Sequence, residues 1–263
     1  MTFLVLSSHT KPGSTAPINH QIYCRKHGYK YLFDATPYPL KSPYDQKLAA
    51  VCHNLEGADW LMWMDDDAYF MDHTIKLESF VDDQSDYIFC NSPVNPLNNK
   101  WTFINSGVFF VRNTPETKKL LFDALATDIN MVKEWWDKDK YGFFTHGDQD
   151  RLLYQFVVNG LVDTKLKVCE FTDFNARRYH FDQRYDQHFV LHYVGYLDKY
   201  FIMEKFAKLY GLNRFMTTDS EAQLSEFRWS VFYEAKQRKM SSLRRFVRHL
   251  RRFRQGNRLT FKF

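Results

Sequence analysis

The stretch Trp60-Leu61-Met62-Trp63-Met64-Asp65-Asp66-Asp67-Ala68-Tyr69-Phe70-Met71-Asp72 decides how this chain reads. Its five largely apolar residues, Trp60 to Met64, run straight into three consecutive carboxylates. An apolar run of that length predicts a buried strand. Three adjacent acids cannot follow it into the interior, because desolvating unpaired carboxylates is very costly. One solution is a strand whose C-terminal end opens into a cleft where the carboxylates hold a divalent cation. Mg²⁺ and Mn²⁺ favour oxygen ligands and keep room for substrate phosphates, and open α/β sheets place ligands at that edge. The other reading is a cap, with Asp66 or Asp67 opening a helix near Ala68.

Outward from that strand, helix and strand signals alternate. Thr2–Leu6 reads as a first strand, followed by a polar loop containing Pro12 and Gly13. Helical spacing over Ile18–His27 stops at Gly28, and Tyr29–Asp34 reads as a second strand. Asp45–Leu55 is helical again. Further strands are expected at Tyr87–Cys90, Val108–Val111 and Phe189–Val194, with helices from Pro115 to Ala126 and over Asp148–Val158. Asn105-Ser106-Gly107 reads as a turn into the Val108 strand. Alternation at this spacing predicts a mostly parallel sheet flanked by helices.

The chain has 263 residues, enough for one large α/β domain with an appendage. We place the domain at residues 1–212 and a helical extension at 213–263. Four scattered cysteines show no CxxC spacing and read as reduced thiols. Neither a membrane-spanning run nor a signal-peptide pattern is visible, so the expected setting is the cytoplasm. Charge is sharply divided: residues 236–263 hold eleven of the 36 Lys and Arg and no acid, which leaves 25 bases against 31 acids, a net −6, in residues 1–235.

Five segments, in order, resemble glycosyltransferase family 34, the galactosyl/mannosyl/xylosyltransferases. They are Asn19-His-Gln-Ile-Tyr-Cys-Arg-Lys-His-Gly-Tyr29, Trp63-Met-Asp-Asp-Asp-Ala-Tyr-Phe70, Asn105-Ser-Gly-Val-Phe-Phe-Val-Arg112, Gly147-Asp-Gln-Asp150 and His192-Tyr-Val-Gly195. The resemblance spans roughly residues 1–200 and implies a GT-A fold, a Rossmann-like domain that binds a nucleotide-sugar and transfers hexose or pentose with retention. It makes Asp65 and Asp67 the Asp-x-Asp metal ligands and His192 the third. An imidazole beside two carboxylates suits Mn²⁺ better than Mg²⁺; read alone, His192 is better taken as a core histidine of the Phe189–Val194 strand.

The resemblance also implies a donor site. Asp66 would approach the ribose or sugar hydroxyls, and Gly195 would let its backbone come close to the diphosphate. Ser7, Ser8 and His9 would line the nucleotide pocket, and Asn105, Ser106 and Gly107 would border donor and acceptor. The family often has a lysine shortly after the His-x-x-Gly; here Leu197 stands near that place, and Lys199 is the nearby substitute. Gln149 would offer a carbonyl oxygen to positive charge at the anomeric carbon, and Asp148 would hold sugar hydroxyls. As a plain helix start, Asp148 would instead be a cap.

In the tail, Leu243, Phe246, Val247, Leu250 and Phe253 form one helical stripe surrounded by Arg244, Arg245, Arg248, Arg251 and Arg252. That pattern fits an interfacial helix over residues 241–254 on an anionic membrane, where each cation contributes about 1 kcal/mol. Docking on the acidic body and binding of nucleic acid are the other readings. The resulting expectation is a Mn²⁺- or Mg²⁺-dependent retaining glycosyltransferase, peripheral to a membrane. Its donor would be a nucleoside-diphosphate sugar, with UDP-sugars favoured, and its acceptor a glycan of the lipid-linked or lipopolysaccharide kind. An inverting enzyme with Asp148 or Asp150 as base is the rival; a basic-tailed nuclease-like protein ranks below both, since an acidic body repels polyanions.

Overall fold

The computed structural model describes residues 1–8, 14–40, 42–95, 98–177, 188–194 and 199–217. His9, Gly195, Leu197 and the expected basic helix over 241–254 lie outside the described residues. The chain divides into two units, Met1–Ser225 and Glu226–Phe263, and everything below concerns the first. No helix among the described residues is long and apolar enough to cross a membrane.

The chain opens with β1 (Phe3–Ser8), α1 (Ala16–His27), β2 (Lys30–Asp34), α2 (Pro43–Asn54), β3 (Trp60–Met64) and β4 (Ala68–Phe70). There follow β5 (Tyr87–Ser92), β6 (Thr102–Arg112), α3 (Pro115–Ala126), α4 (Ile129–Trp135), α5 (Lys138–Tyr141) and α6 (Asp148–Val158). The described part closes with β7 (Leu166–Cys169), α7 (Phe171–Phe174), β8 (Ala176–Arg177), β9 (Val190–His192) and α8 (Lys199–Leu209). Helix boundaries follow local chemistry. Ser42 and Thr114 cap α2 and α3 through their hydroxyls, each ahead of a proline in the first turn. Gly28, at φ 74°, takes the left-handed conformation that ends α1.

Six strands form the main sheet in the order β2-β1-β3-β6-β5-β7. β1 runs parallel to β2 and β3, and β5 parallel to β7; β6 alone is reversed, antiparallel to both β3 and β5. Successive side chains of β1 and β3 serve two cores. Leu4, Leu6, Leu61 and Trp63 pack with Leu48, Val51, Leu121 and Phe156 on one face. Phe3, Val5, Trp60, Met62 and Met64 pack with Tyr23, Phe70 and Phe174 on the other. Burial on both faces is why β3 reads as an unbroken apolar run instead of an alternating one; each large side chain so buried contributes roughly 1.5–3 kcal/mol.

Three local expectations are corrected. Ala68 begins no helix: β4 is a strand, antiparallel to β9, because its residues Ala68, Tyr69 and Phe70 are all buried between packed layers. Asn105–Gly107 is not a turn but the middle of the eleven-residue β6, where pairing with β5 becomes irregular between Phe89 and Ser92. The expected Phe189–Val194 strand shortens to Val190–His192. A small second sheet, β4-β9-β8, results, and it positions the site.

Candidate metal centre

The Asp65–Asp67 segment joins the main sheet to the small one. β3 ends at Met64, the Asp65 amide donates to the Gly107 carbonyl at 2.8 Å, and the Ala68 amide closes a turn on the Asp65 carbonyl at 3.1 Å. Pairing of Ala68 with His192 then sets β9 directly beside the turn, and the Tyr193 amide donates to the Asp67 carbonyl at 3.0 Å. One ligand atom each from Asp65, Asp67 and His192 consequently falls within 4.8 Å of the others. His192 Nε2 lies 3.2 Å from Asp67 Oδ1 and 3.7 Å from Asp65 Oδ2. Asp65 turns its other oxygen inward, where Oδ1 accepts from Trp63 Nε1 at 2.8 Å. Two carboxylates and an imidazole converging in this way are a donor set that fits Mn²⁺ or Mg²⁺.

Gly107 makes room for the histidine. A Cβ there would stand 2.0 Å from His192 Cε1 and 2.5 Å from Nδ1, so any side chain expels the ring. Gly107→Ala should weaken Mn²⁺ binding about 10–100-fold, the usual scale for a disturbed ligand, and destabilise the fold by about 1–3 kcal/mol through overpacking. Calorimetry with Mn²⁺ and urea unfolding check the two effects; an unchanged affinity would remove His192 from the ligand set.

Next to the acids sits a cation that the sequence reading passed over. Lys47, on α2, places Nζ 3.2 Å from Asp65 Oδ1 and 3.0 Å from Asp148 Oδ2, and donates to the Ser106 carbonyl at 2.8 Å. Burial pushes its ammonium pKa down, but Asp148 and Asp65 outweigh that and hold it above the ordinary lysine value. Burial pushes the Asp148 carboxyl up, with Lys47 pulling it down and Asp65 adding to the rise. The clue was available: Lys47 falls on the stripe of Leu48, Val51 and Leu55, where a lone charge needs a buried partner.

Asp148 therefore does not cap α6. Gly147 holds the cap position, and Asp150 collects the loose donors: its Oδ2 accepts from the Thr145 amide at 2.8 Å, the Thr145 hydroxyl at 3.0 Å and the Gly147 amide at 3.3 Å. Burial nevertheless raises the Asp150 pKa to about 6. Its carboxyl thus keeps a proton more readily in the folded state. That contribution to stability is complete below the ordinary Asp range and is lost as pH rises through about 6. Relative to Asp150→Asn, the native chain should lose about 2 kcal/mol between pH 4 and pH 7; urea unfolding across that range measures it, and a flat difference would show no such shift.

The other expected residues are distributed as follows. Ser106 and Gln149 meet, with the Ser106 amide 3.4 Å from Gln149 Oε1. Asn105 is spent inside the protein, its Oδ1 accepting from the Gly107 amide at 3.0 Å and from Asn175 Nδ2 at 2.9 Å. The fully buried Ser7 hydroxyl bonds Tyr31 Oη at 2.8 Å, with His20 Nδ1 at 3.4 Å, whereas Ser8 is half-buried at the end of β1. Burial drops the His20 pKa to about 4, and its Nε2 reaches the Ala68 carbonyl at 2.8 Å, tying β1 to the acidic turn. Asp66 is buried, its carbonyl accepting from the Ser14 hydroxyl. Lys199 opens α8.

A six-stranded sheet with one reversed strand, a small second sheet and acids at the strand end define a GT-A-type fold. The family model described as galactosyl transferase GMA12/MNN10 matches residues 14–100, the part of the chain that carries Asn19–Tyr29 and Trp63–Phe70. The resemblance read from those two segments is borne out; the other three segments begin beyond the matched stretch. No curated protein matches the chain. Among solved structures, a glycosyltransferase involved in glycosylation of the major capsid of PBCV-1 superposes with a TM-score of 0.56 at 15% identity, covering 74% of this chain and 96% of that one. This likeness concerns the fold. Weaker likenesses are to the galactosyltransferase LgtC in complex with donor and acceptor sugar analogs (TM-score 0.40, 13% identity, 80% and 95% covered) and to the glycosyltransferase GlyE of Streptococcus pneumoniae (0.38, 12%, 74% and 55%).

Proposed function

We propose that this chain is a metal-dependent glycosyltransferase that moves a hexose or pentose, with retention, from a nucleoside-diphosphate sugar to a glycan acceptor. UDP-sugars are the favoured donors. The observation that carries the reading is the convergence of Asp65, Asp67 and His192 at the end of β3, in a fold shared with a known glycosyltransferase. A divalent ion held there would act as a Lewis acid toward the diphosphate leaving group. Asp65 would offer Oδ2, Asp67 Oδ1 and His192 Nε2. Asp66, Ser8, Ser106, Gly195 and Lys199 remain the proposed donor contacts.

Retention is favoured over the inverting rival because both candidate bases are engaged. Asp148 is ion-paired with Lys47, and Asp150 is bonded to the backbone before α6. Gln149, between them, would present an amide oxygen to charge building at the anomeric carbon. A screen of nucleotide-sugars with Mn²⁺ should reveal slow hydrolysis of one donor and so name base and sugar. With that donor, NMR of the product anomeric proton should show an α linkage from an α donor. A β product would transfer the role of base to Asp148 or Asp150.

A further inference from the structure

The metal reading makes His192 a ligand through Nε2, which requires the ring proton to sit on Nδ1. The surrounding bonds decide that question. The Gly107 amide can only donate, so the Asn105 amide must turn Oδ1 toward it, at 3.0 Å. The same Asn105 oxygen lies 2.9 Å from Asn175, so Asn175 must point its NH₂ group there. That leaves Asn175 Oδ1 facing Arg177 Nη1 at 2.8 Å, and a guanidinium also can only donate. Both amides are thus oriented by obligate donors at the two ends of one chain of bonds. His192 Nδ1, 2.9 Å from this same Asn175 oxygen, must therefore be an N–H, which leaves Nε2, facing Asp65 and Asp67, as the nitrogen that a metal would take.

Arg177 is itself tightly held. It is 3% exposed, its Nη1 also donates to the Asn175 carbonyl at 2.8 Å, and its Nη2 donates to Ser92 Oγ at 3.1 Å. Strand β8 lies parallel to β9 with Arg177 registered on His192; Nη1 lies 3.3 Å from His192 Nδ1, but both its hydrogens are spent on Asn175 at 2.8 Å, so this approach is not a hydrogen bond. We propose that Asn175 and Arg177 are positioning residues for the metal site: Asn175 Oδ1 fixes the tautomer and plane of His192, and Arg177 fixes Asn175. The proposal rests on the metal-dependent reading above. Partners behind a metal-binding histidine commonly change metal affinity 10–100-fold when lost.

The test combines a spectrum and a binding cycle on the full chain. Nitrogen-15 NMR of histidine-labelled protein, with the His192 signals identified from His192→Ala, should show a protonated Nδ1 both without metal and with Mg²⁺, and an Nε2 without a proton once Mg²⁺ is bound. This part needs no variant at position 175 or 177. Calorimetry with Mn²⁺ alone should show Asn175→Ala binding about 10–100-fold more weakly than the native chain. In a His192→Ala background, Asn175→Ala should make no further difference, since its effect passes through that ring. Arg177→Lys, which keeps the charge but loses the fork, should leave part of the His192 population without a proton on Nδ1. An unprotonated Nδ1, native-like affinity in Asn175→Ala, or an equal loss in the His192→Ala background would overturn the proposal while leaving the metal site standing. Failure of the native chain to bind Mn²⁺ at all would overturn the metal reading beneath it, and the proposal with it.

Discussion

Asp67→Ala should abolish metal-dependent binding of a nucleoside diphosphate and lower turnover at least about 100-fold, since a lost ligand removes several kcal/mol of charge stabilisation from the leaving group. The fold should survive. Asp65, Asp67 and His192 stand within 4.8 Å of each other, and removing one carboxylate relieves repulsion between like charges when no cation is bound. Asp65→Ala should behave alike for binding but cost more stability, because Asp65 Oδ1 also accepts from Trp63 and faces Lys47. Calorimetry of UDP with and without Mn²⁺, paired with thermal unfolding of the metal-free proteins, separates the two effects. Undiminished Mn²⁺-dependent binding in Asp67→Ala would refute the ligand assignment.

Lys47→Met should be the most destabilising of the site substitutions. It strands Asp148, 2% exposed, beside Asp65 with no ammonium between them. Breaking a buried ion pair from one side typically costs about 3–5 kcal/mol. The loss should be largest near pH 8 and smaller near pH 5, since burial already raises the Asp148 pKa and a proton can then replace the missing cation. Replacing both partners, as Lys47→Met with Asp148→Asn, should recover much of the stability without recovering turnover. Urea unfolding at the two pH values is the check; equal losses at both would mean that Asp148 is not the group left uncompensated.

How much of this was legible in the sequence follows from the kind of signal each residue leaves. β3 and the acids after it were readable because an apolar run ending in three carboxylates has few physical solutions. α3 was readable from its Thr-Pro start, and both α3 and α6 from 3.6-residue spacing. The strand at Ala68–Phe70 was not, since three residues cannot display a period and preceding aspartates mimic a cap. The interior of β6 hid for a similar reason: Asn-Ser-Gly is turn chemistry, and only the bulk of the His192 ring explains the glycine. Asn175 and Arg177 left no trace, because a two-residue strand has no pattern and their importance comes from pairing with β9. Lys47 did leave one, as a charge on an apolar stripe. Sequence spacing locates residues along an element; the convergence of Asp65, Asp67 and His192 on one point depends on the crossovers between sheets.

The most direct measurement is an anomalous-difference map from crystals grown with Mn²⁺ and UDP. The account predicts one strong peak bonded to Asp65, Asp67 and His192 Nε2, with diphosphate oxygens completing its coordination. A manganese bound elsewhere, or a nucleotide seated with no metal near these three residues, would contradict it.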